Sequence, residues 1–331
     1  MAELVLGIGS SHSPMVSMGG QDWLAWGQHG DLTHPMLYTE AGAHITYDER
    51  LAEVAGSFDD RITASVVESG AGRVQSAVDQ LHDAIIEARL DAVVVVGDDQ
   101  HEHLFSDNLP PFLIYWGDTI ANASMDILGP ETPDVVRSFM PGWHEQGPER
   151  DYPVDTALAS HLINFMLDNN FDVAASDALP NSERKMGHAF AFPVRRLLRT
   201  AVPIVPVMVN TYNSPTQPRA RRCLEFGRAL GRAIEAFPSD ARVGVVASGG
   251  LSHFLVLEDF DRRVIDAFDR GDLDELCNIP EATYVAGTSE IKNWIAVAGA
   301  CENKTFGLID YIPGYRTPAG TGTGLAFAQW T

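Results

Sequence analysis

Short apolar runs recur along this chain at Leu4–Ile8, Ala92–Val96, Phe112–Trp116, Phe171–Ala175, Ile204–Val209 and Val243–Ala247. Runs of this length, rich in β-branched residues and bounded by glycine or polar clusters, predict strands. Between several of them the apolar positions switch to a helical period. Val74, Ala77, Val78, Leu81, Ala84, Ile85 and Ala88 make one stripe along Val74–Arg89, and Ala157–Asn169, Arg219–Ala236 and Phe260–Arg270 are expected to be helices as well. The alternation predicts an α/β fold with a mostly parallel or mixed central sheet flanked by helices. With no internal repeat and no linker, residues 1–331 are expected to form a single domain. Residues 17–60 break the pattern. They set Trp23, Trp26, His29, His34, Tyr38, His44 and Tyr47 among glycines and acidic residues with weak periodicity. Such a segment is expected to be an ordered excursion over the strand ends. It would serve either as a wall of a substrate pocket or as a packing or dimer-contact segment.

Charge narrows the function classes. The 45 acidic residues outnumber the 23 basic ones, giving a formal net charge of -22. Phosphate backbones would be repelled, so nucleic acid is not an expected partner. An anionic small substrate remains compatible with a locally positive site, and Arg184 and Lys185, just before His188, are candidates to supply that charge. Cys223, Cys277 and Cys301 show neither paired nor metal-like spacing, which points to a reducing, cytoplasmic setting. No signal peptide is expected at the N-terminus, and no apolar run approaches the ~20 residues of a membrane span.

Three histidines follow strand-like runs and a cluster of small or polar residues: His12 after Leu4–Ser11, His101 after Val93–Gln100 and His253 after Val243–Ser252. In an α/β sheet the carboxyl ends of strands open onto one crevice, where residues distant in sequence converge. Gly7-Ile8-Gly9-Ser10-Ser11-His12 begins like a dinucleotide fingerprint, but His12 stands where the third glycine belongs, and the cofactor reading loses its force. Asp98-Asp99-Gln100-His101-Glu102-His103 is dense in potential ligands; a metal could take His101 or His103, or the cluster is a polar surface loop. His253 and His188 are candidate acid/base or substrate-orienting groups. His29, His34, His44, His82, His103, His144 and His161 have weaker context and are expected not to be ligands. Glu290 is expected to open a helix, where a carboxylate favours the positive end of the dipole. The sharper reading makes it a ligand, since two imidazoles and one carboxylate leave open positions on Fe(II) for substrate and O₂.

Ser11-His12-Ser13-Pro14, Val96-Gly97-Asp98-Asp99, Gly249-Gly250-Leu251-Ser252-His253 and Glu290-Ile291-Lys292-Asn293-Trp294, with the weaker Gly187-His188, together resemble the class III extradiol ring-cleavage dioxygenases. This is the superfamily of the protocatechuate 4,5-dioxygenase catalytic subunit. The resemblance implies a non-haem Fe(II) enzyme that opens a catechol-type ring with O₂ as co-substrate. Carried over by residue, it makes His12 and Glu290 metal ligands, His253 the acid/base histidine, Ser252 its substrate-binding neighbour, and His188 a further active-site histidine. The second metal histidine of the family lies in an Asn-Asp-His segment. Without a gap, Gln100 falls on that slot; a shift of one residue restores His101, which suits Fe(II) better than a neutral amide. A homodimer is expected by resemblance, and residues 17–60 would supply the cover that a small partner subunit gives in some members. The aromatic excursion favours a substituted or heteroaromatic diol over plain catechol. A zinc-dependent hydrolase or lyase using the same ligands, and a non-catalytic binding protein, are the competing readings.

Overall fold

The structure is a computed structural model that describes residues 1–179 and 185–331. Its strands are β1 (Glu3–Ser10), β2 (Ala92–Asp98), β3 (Phe112–Tyr115), β4 (Thr119–Asn122), β5 (Arg150–Pro153), β6 (Ala174–Ser176), β7 (Ile204–Val209), β8 (Arg242–Ser248), β9 (His253–Leu255), β10 (Phe306–Tyr315) and β11 (Thr321–Trp330). The helices are α1 (Gly20–Gly30), α2 (Tyr47–Val54), α3 (Ala64–Ala88), α4 (Asp134–Phe139), α5 (Thr156–Asp168), α6 (His188–Phe192), α7 (Ala220–Ala236), α8 (Glu258–Asp269), α9 (Leu273–Asn278) and α10 (Ile291–Ala300).

One mixed sheet runs β10-β11-β1-β8-β2-β7-β3-β6, with β9 added on β11, while β4 and β5 pair separately. Strands β1, β8, β2 and β7 are parallel neighbours; β11 is antiparallel to both β1 and β10, and β3 is antiparallel to β7. The valine runs are continuous because both faces of these strands are covered. Val94 and Val96 pack into one core with α5, α7 and α10, whereas Val93 and Val95 pack into the other with α3 and α6.

The predicted α/β sheet with flanking helices is the observed one. The run at Ile204–Val209 coincides with β7, but the strand expected at Phe171–Ala175 lies later, at Ala174–Ser176. Phe171 instead sits edge-on to Phe112 and Phe226, in the aromatic cluster under α7. Strands β10 and β11 were not among the predicted elements: Pro313 interrupts the first, and Thr321-Gly322-Thr323-Gly324 opens the second with little side-chain bulk. Residues 17–60 are ordered over α1 and α2, and Trp23 is buried with its indole N–H donated to the Met15 carbonyl at 2.9 Å. The glycines that mimic a dinucleotide fingerprint serve close packing instead. A Cβ on Gly9 would stand 2.2 Å from the Trp294 ring of α10, and one on Gly7 2.5 Å from the Cys301 sulfur.

Candidate active site

The strand order makes β1, β8 and β2 adjacent and parallel, so their carboxyl ends deliver His12, Ser248 and Asp98 to one place. Serine 248 fixes the His12 ring through a 2.9 Å contact with Nδ1. That turns Nε2 toward Glu290 Oε2 at 3.3 Å and Asp98 Oδ1 at 3.7 Å. Glu290 does open α10, but its carboxylate is turned inward and almost fully buried. It accepts from the Gly250 amide at 2.8 Å and from the Tyr212 hydroxyl at 2.7 Å, and it meets His253 Nε2 at 3.0 Å. Residues from opposite ends of the chain thus share one buried cluster.

His253 is seated by its backbone surroundings. Its Nδ1 contacts the Leu251 carbonyl at 2.9 Å, and its amide donates to Thr288 Oγ1 at 3.2 Å. Gly287 leaves room for the ring: a Cβ there would lie 2.0 Å from His253 Cδ2. His188, the first residue of α6, stands edge-on to His12 with ring centroids 4.6 Å apart. Glu102 clamps it with both oxygens, one accepting the backbone N–H at 2.9 Å and the other facing Nδ1 at 2.8 Å. His12, Asp98 and His188 hold ligand atoms within 4.8 Å of one another, a grouping able to take a metal ion.

The Asp98–His103 loop separates the two open alternatives. Asp99 accepts three backbone N–H groups, from Glu102 at 3.2 Å, His103 at 2.7 Å and Leu104 at 3.0 Å. This folds the loop tightly, with His101 in the left-handed region at φ 61°. The His101 ring is thereby placed on the exposed side, its Nδ1 beside the Leu104 carbonyl at 3.1 Å, and the structure does not bring it to the cluster. Gln100 is brought there. Its amide nitrogen lies 3.3 Å from Glu290 Oε1, 3.4 Å from Asp98 Oδ2 and 3.4 Å from His188 Nε2. Ser252, expected to contact substrate, is not among the described residues that line the cavity. Its hydroxyl is fully buried away from the cavity, donating to Asp261 Oδ2 at 2.8 Å and accepting the Leu257 N–H at 2.8 Å. Arg184 lies outside the described residues. Lys185 lines the cavity but is paired with Glu149 at 2.8 Å.

Three members of the cluster escaped sequence reasoning in these roles. Asp98 and Glu102 were visible only as members of the ligand-dense Asp98–His103 stretch, Asp98 also within a matching segment, and Tyr212 gave no local sign; Glu102 and Tyr212 each act on a partner far along the chain.

Burial raises the cost of charge at every one of these groups, and neighbours decide the outcome. Against its burial, the charges and hydrogen bonds of His253 and His12 hold the Glu290 carboxyl well below its ordinary range. Burial and then the Glu290 charge push Asp98 up to about 6. Burial disfavours the His188 imidazolium, yet the Glu102 carboxylate outweighs it and raises the ring to about 10. Above the cluster opens a cavity of about 690 Å³ that His12, Gln100, His188, His253 and Glu290 help to line. Trp26 and His34 from the aromatic excursion form part of its wall.

This cavity-floor cluster on a mixed α/β sheet belongs to a defined class of proteins. The family model described as the catalytic LigB subunit of aromatic ring-opening dioxygenase matches residues 52–326. The chain is a member of that family. Among similar proteins are a gallate dioxygenase of Pseudomonas putida, 36% identical over 33% of this chain and 32% of its own length. Two 2,3-dihydroxyphenylpropionate/2,3-dihydroxicinnamic acid 1,2-dioxygenases are similar over longer stretches. The Rhodococcus protein is 32% identical over 54% of this chain and 49% of its own. The Mycolicibacterium smegmatis protein is 30% identical over 53% and 50%. The matched segments span between about a third and a half of these curated relatives.

Proposed function

We propose that this protein opens an aromatic ring beside two vicinal hydroxyls, using O₂ and a ferrous ion held at the buried cluster. The observation that carries this reading is the meeting of His12 Nε2 and Glu290 Oε2 at 3.3 Å, with Asp98 and His188 beside them, at the floor of a cavity sized for a small aromatic molecule. The donor set fits the metal. Imidazole nitrogen and carboxylate oxygen suit Fe(II), and no cysteine is among the cavity-lining residues described. Two buried carboxylates side by side, one of them pushed up to about 6, also favour a cation between them.

His12, Glu290 and Asp98 are the residues we assign to hold the ion, with Gln100 at the position where the family pattern has its second histidine; its amide oxygen would be the donor there. When bound, the ferrous ion supplies Lewis acidity toward vicinal phenol oxygens and redox chemistry toward O₂. The protein's own groups do the rest. We assign the acid/base role to His253, whose Nε2, facing Glu290 Oε1 at 3.0 Å, is the ring atom that would exchange a proton with the substrate once Glu290 is engaged by the ion. His188, held charged by Glu102, is placed to stabilise negative charge developing on oxygen. Trp26, Phe139 and Trp143 give the cavity apolar walls that exclude water and position a ring. The aromatic wall favours a substituted diol over plain catechol. A cytoplasmic, homodimeric protein accompanies this reading; the three cysteines are free thiols.

Anaerobic loading with iron followed by oxygen-uptake measurements across a panel of vicinal aromatic diols tests the proposal. Iron-dependent uptake with a ring-opened product is expected. Zinc in place of iron with no uptake across the panel would favour the hydrolase or lyase reading. His253→Ala is expected to keep its iron content while losing about 10²–10⁴-fold in kcat.

A further inference from the structure

The turn between β10 and β11 places a cation against the cavity that the sequence reading did not single out. Arg316 is 4% exposed and lines the cavity together with His34, Phe254, His253 and Thr323. Its Nε donates to Asp31 Oδ2 at 2.9 Å, and the Thr321 hydroxyl donates to the same oxygen at 2.6 Å. This fixes the inner edge of the guanidinium. The outer edge, formed by Nη1 and Nη2, makes no hydrogen bond to any of the described residues. Arg316 is thus a cavity-lining residue whose two terminal nitrogens are left without a hydrogen bond among the described residues, which keeps its donor fork available to a ligand.

We propose that Arg316 anchors an anionic substituent, a carboxylate, on the substrate of this site. The planar fork matches a carboxylate with two parallel N–H···O bonds, a geometry that lysine cannot reproduce. Asp31 already compensates part of the charge, which favours a monoanion over a phosphate dianion. Nearby groups leave this role to Arg316. Burial, and then the charges of Arg316 and His253, hold His34 down at about 4, so at neutral pH its ring is an uncharged wall tilted against Phe254 with centroids 3.9 Å apart. Lys185 is engaged by Glu149. Among the described residues the cavity thus carries two oriented cations, His188 beside the buried cluster and Arg316 in the β10–β11 turn. Because Arg316 and His253 line the same cavity, the carboxylate arm would direct the diol end of the substrate toward the cluster. This assignment rests on the ring-opening reading for the identity of the ring.

The test separates the two. Dihydroxybenzoate, dihydroxyphenylacetate and dihydroxyphenylpropionate are each compared with their primary amides. Binding is followed under nitrogen to the iron-loaded protein by quenching of the fluorescence of Trp26 and Trp143, which line the cavity. For at least one arm length the acid is expected to bind at least about tenfold more tightly than its amide. Arg316→Gln should collapse that ratio to about threefold or less, and Arg316→Lys should leave an intermediate value. An acid-to-amide ratio near one at every length in the wild type, no measurable binding of any acid, or an unchanged ratio in either variant overturns the proposal. Should Arg316→Gln fail to fold with Asp31 left unpaired, the wild-type ratio and Arg316→Lys still decide. An Arg316-dependent acid preference without oxygen uptake would refute the ring-opening reading alone; uptake with equal use of acid and amide would refute the anchor alone.

Discussion

His188 and Glu102 show how much a single contact can decide. The clamp through both carboxylate oxygens orients the ring and, against burial, raises it to about 10, while Glu102 itself is held at about 2. With Glu102 present, His188 keeps its proton throughout the physiological range. In Glu102→Gln the ring should titrate nearer its ordinary 6.5, so activity is expected to fall as pH rises from about 6 to 8, while the wild type stays flat over that window. Profiles of kcat/KM against pH check this, and superimposable profiles would refute it. Tyr212 offers a second case. Its hydroxyl donates to Glu290 Oε1 at 2.7 Å, so Tyr212→Phe removes a hydrogen bond that orients the carboxylate. About a tenfold to hundredfold loss of iron affinity is expected, measured by competition with a chelator.

At the scale of elements, the site depends on how closely α10 approaches the sheet and α7. Gly227 in α7 lies against α10, and a Cβ there would come within 1.8 Å of the Ala296 carbonyl oxygen. The same helix begins at Glu290 and carries Asn293, whose amide donates to the Ser248 carbonyl at 2.9 Å and to Asp98 at 3.3 Å. Gly227→Ala must push α10 outward and is expected to cost about 1–3 kcal/mol, seen as a lowered midpoint in thermal unfolding. Because Glu290 moves with the helix, iron affinity should drop in the same variant. A variant as stable as the wild type would mean that the helix pair yields more easily than its packing implies. The helices here were legible from their periodicity: α5, α7 and α8 lie within a few residues of their predicted spans. The strands β10 and β11 were not, because small residues in β11 carry little β preference of their own and are held by pairing on both sides.

For the whole molecule, buried Asp261 links the site to stability. It accepts from the Ser252 amide and hydroxyl and from the Tyr311 hydroxyl, tying the turn before His253 to α8 and β10. Burial, against those hydrogen bonds, raises its carboxyl to about 6. An unfolded carboxyl ionises near 3.8, so between that pH and about 6 the unfolded chain releases the proton first and stability declines as pH rises. Above about 6 the penalty is constant, on the order of 3 kcal/mol; below 3.8 it vanishes. Urea titrations of the wild type and Asp261→Asn from pH 4 to 7 should therefore give curves whose difference changes through this window. Parallel curves would exclude the assignment.

The order of residues alone determined the layered α/β class, the helices α5, α7 and α8 with the C-terminal part of α3, and the placement of His12, His253 and Gly187-His188 next to the ends of apolar runs or small-residue turns. These features are set by local periodicity and by which segments can be buried on both faces. Only the folded chain decided which of those groups meet. The adjacency of β1, β8 and β2 is a nonlocal pairing that juxtaposes His12, Asp98 and Glu290. That Gln100 rather than His101 lies beside Glu290 and His188 follows a loop fold in which Asp99 accepts three backbone N–H groups. Glu102, Tyr212 and Arg316 acquire their roles from partners between about 78 and 285 positions away, a separation across which no sequence period carries information.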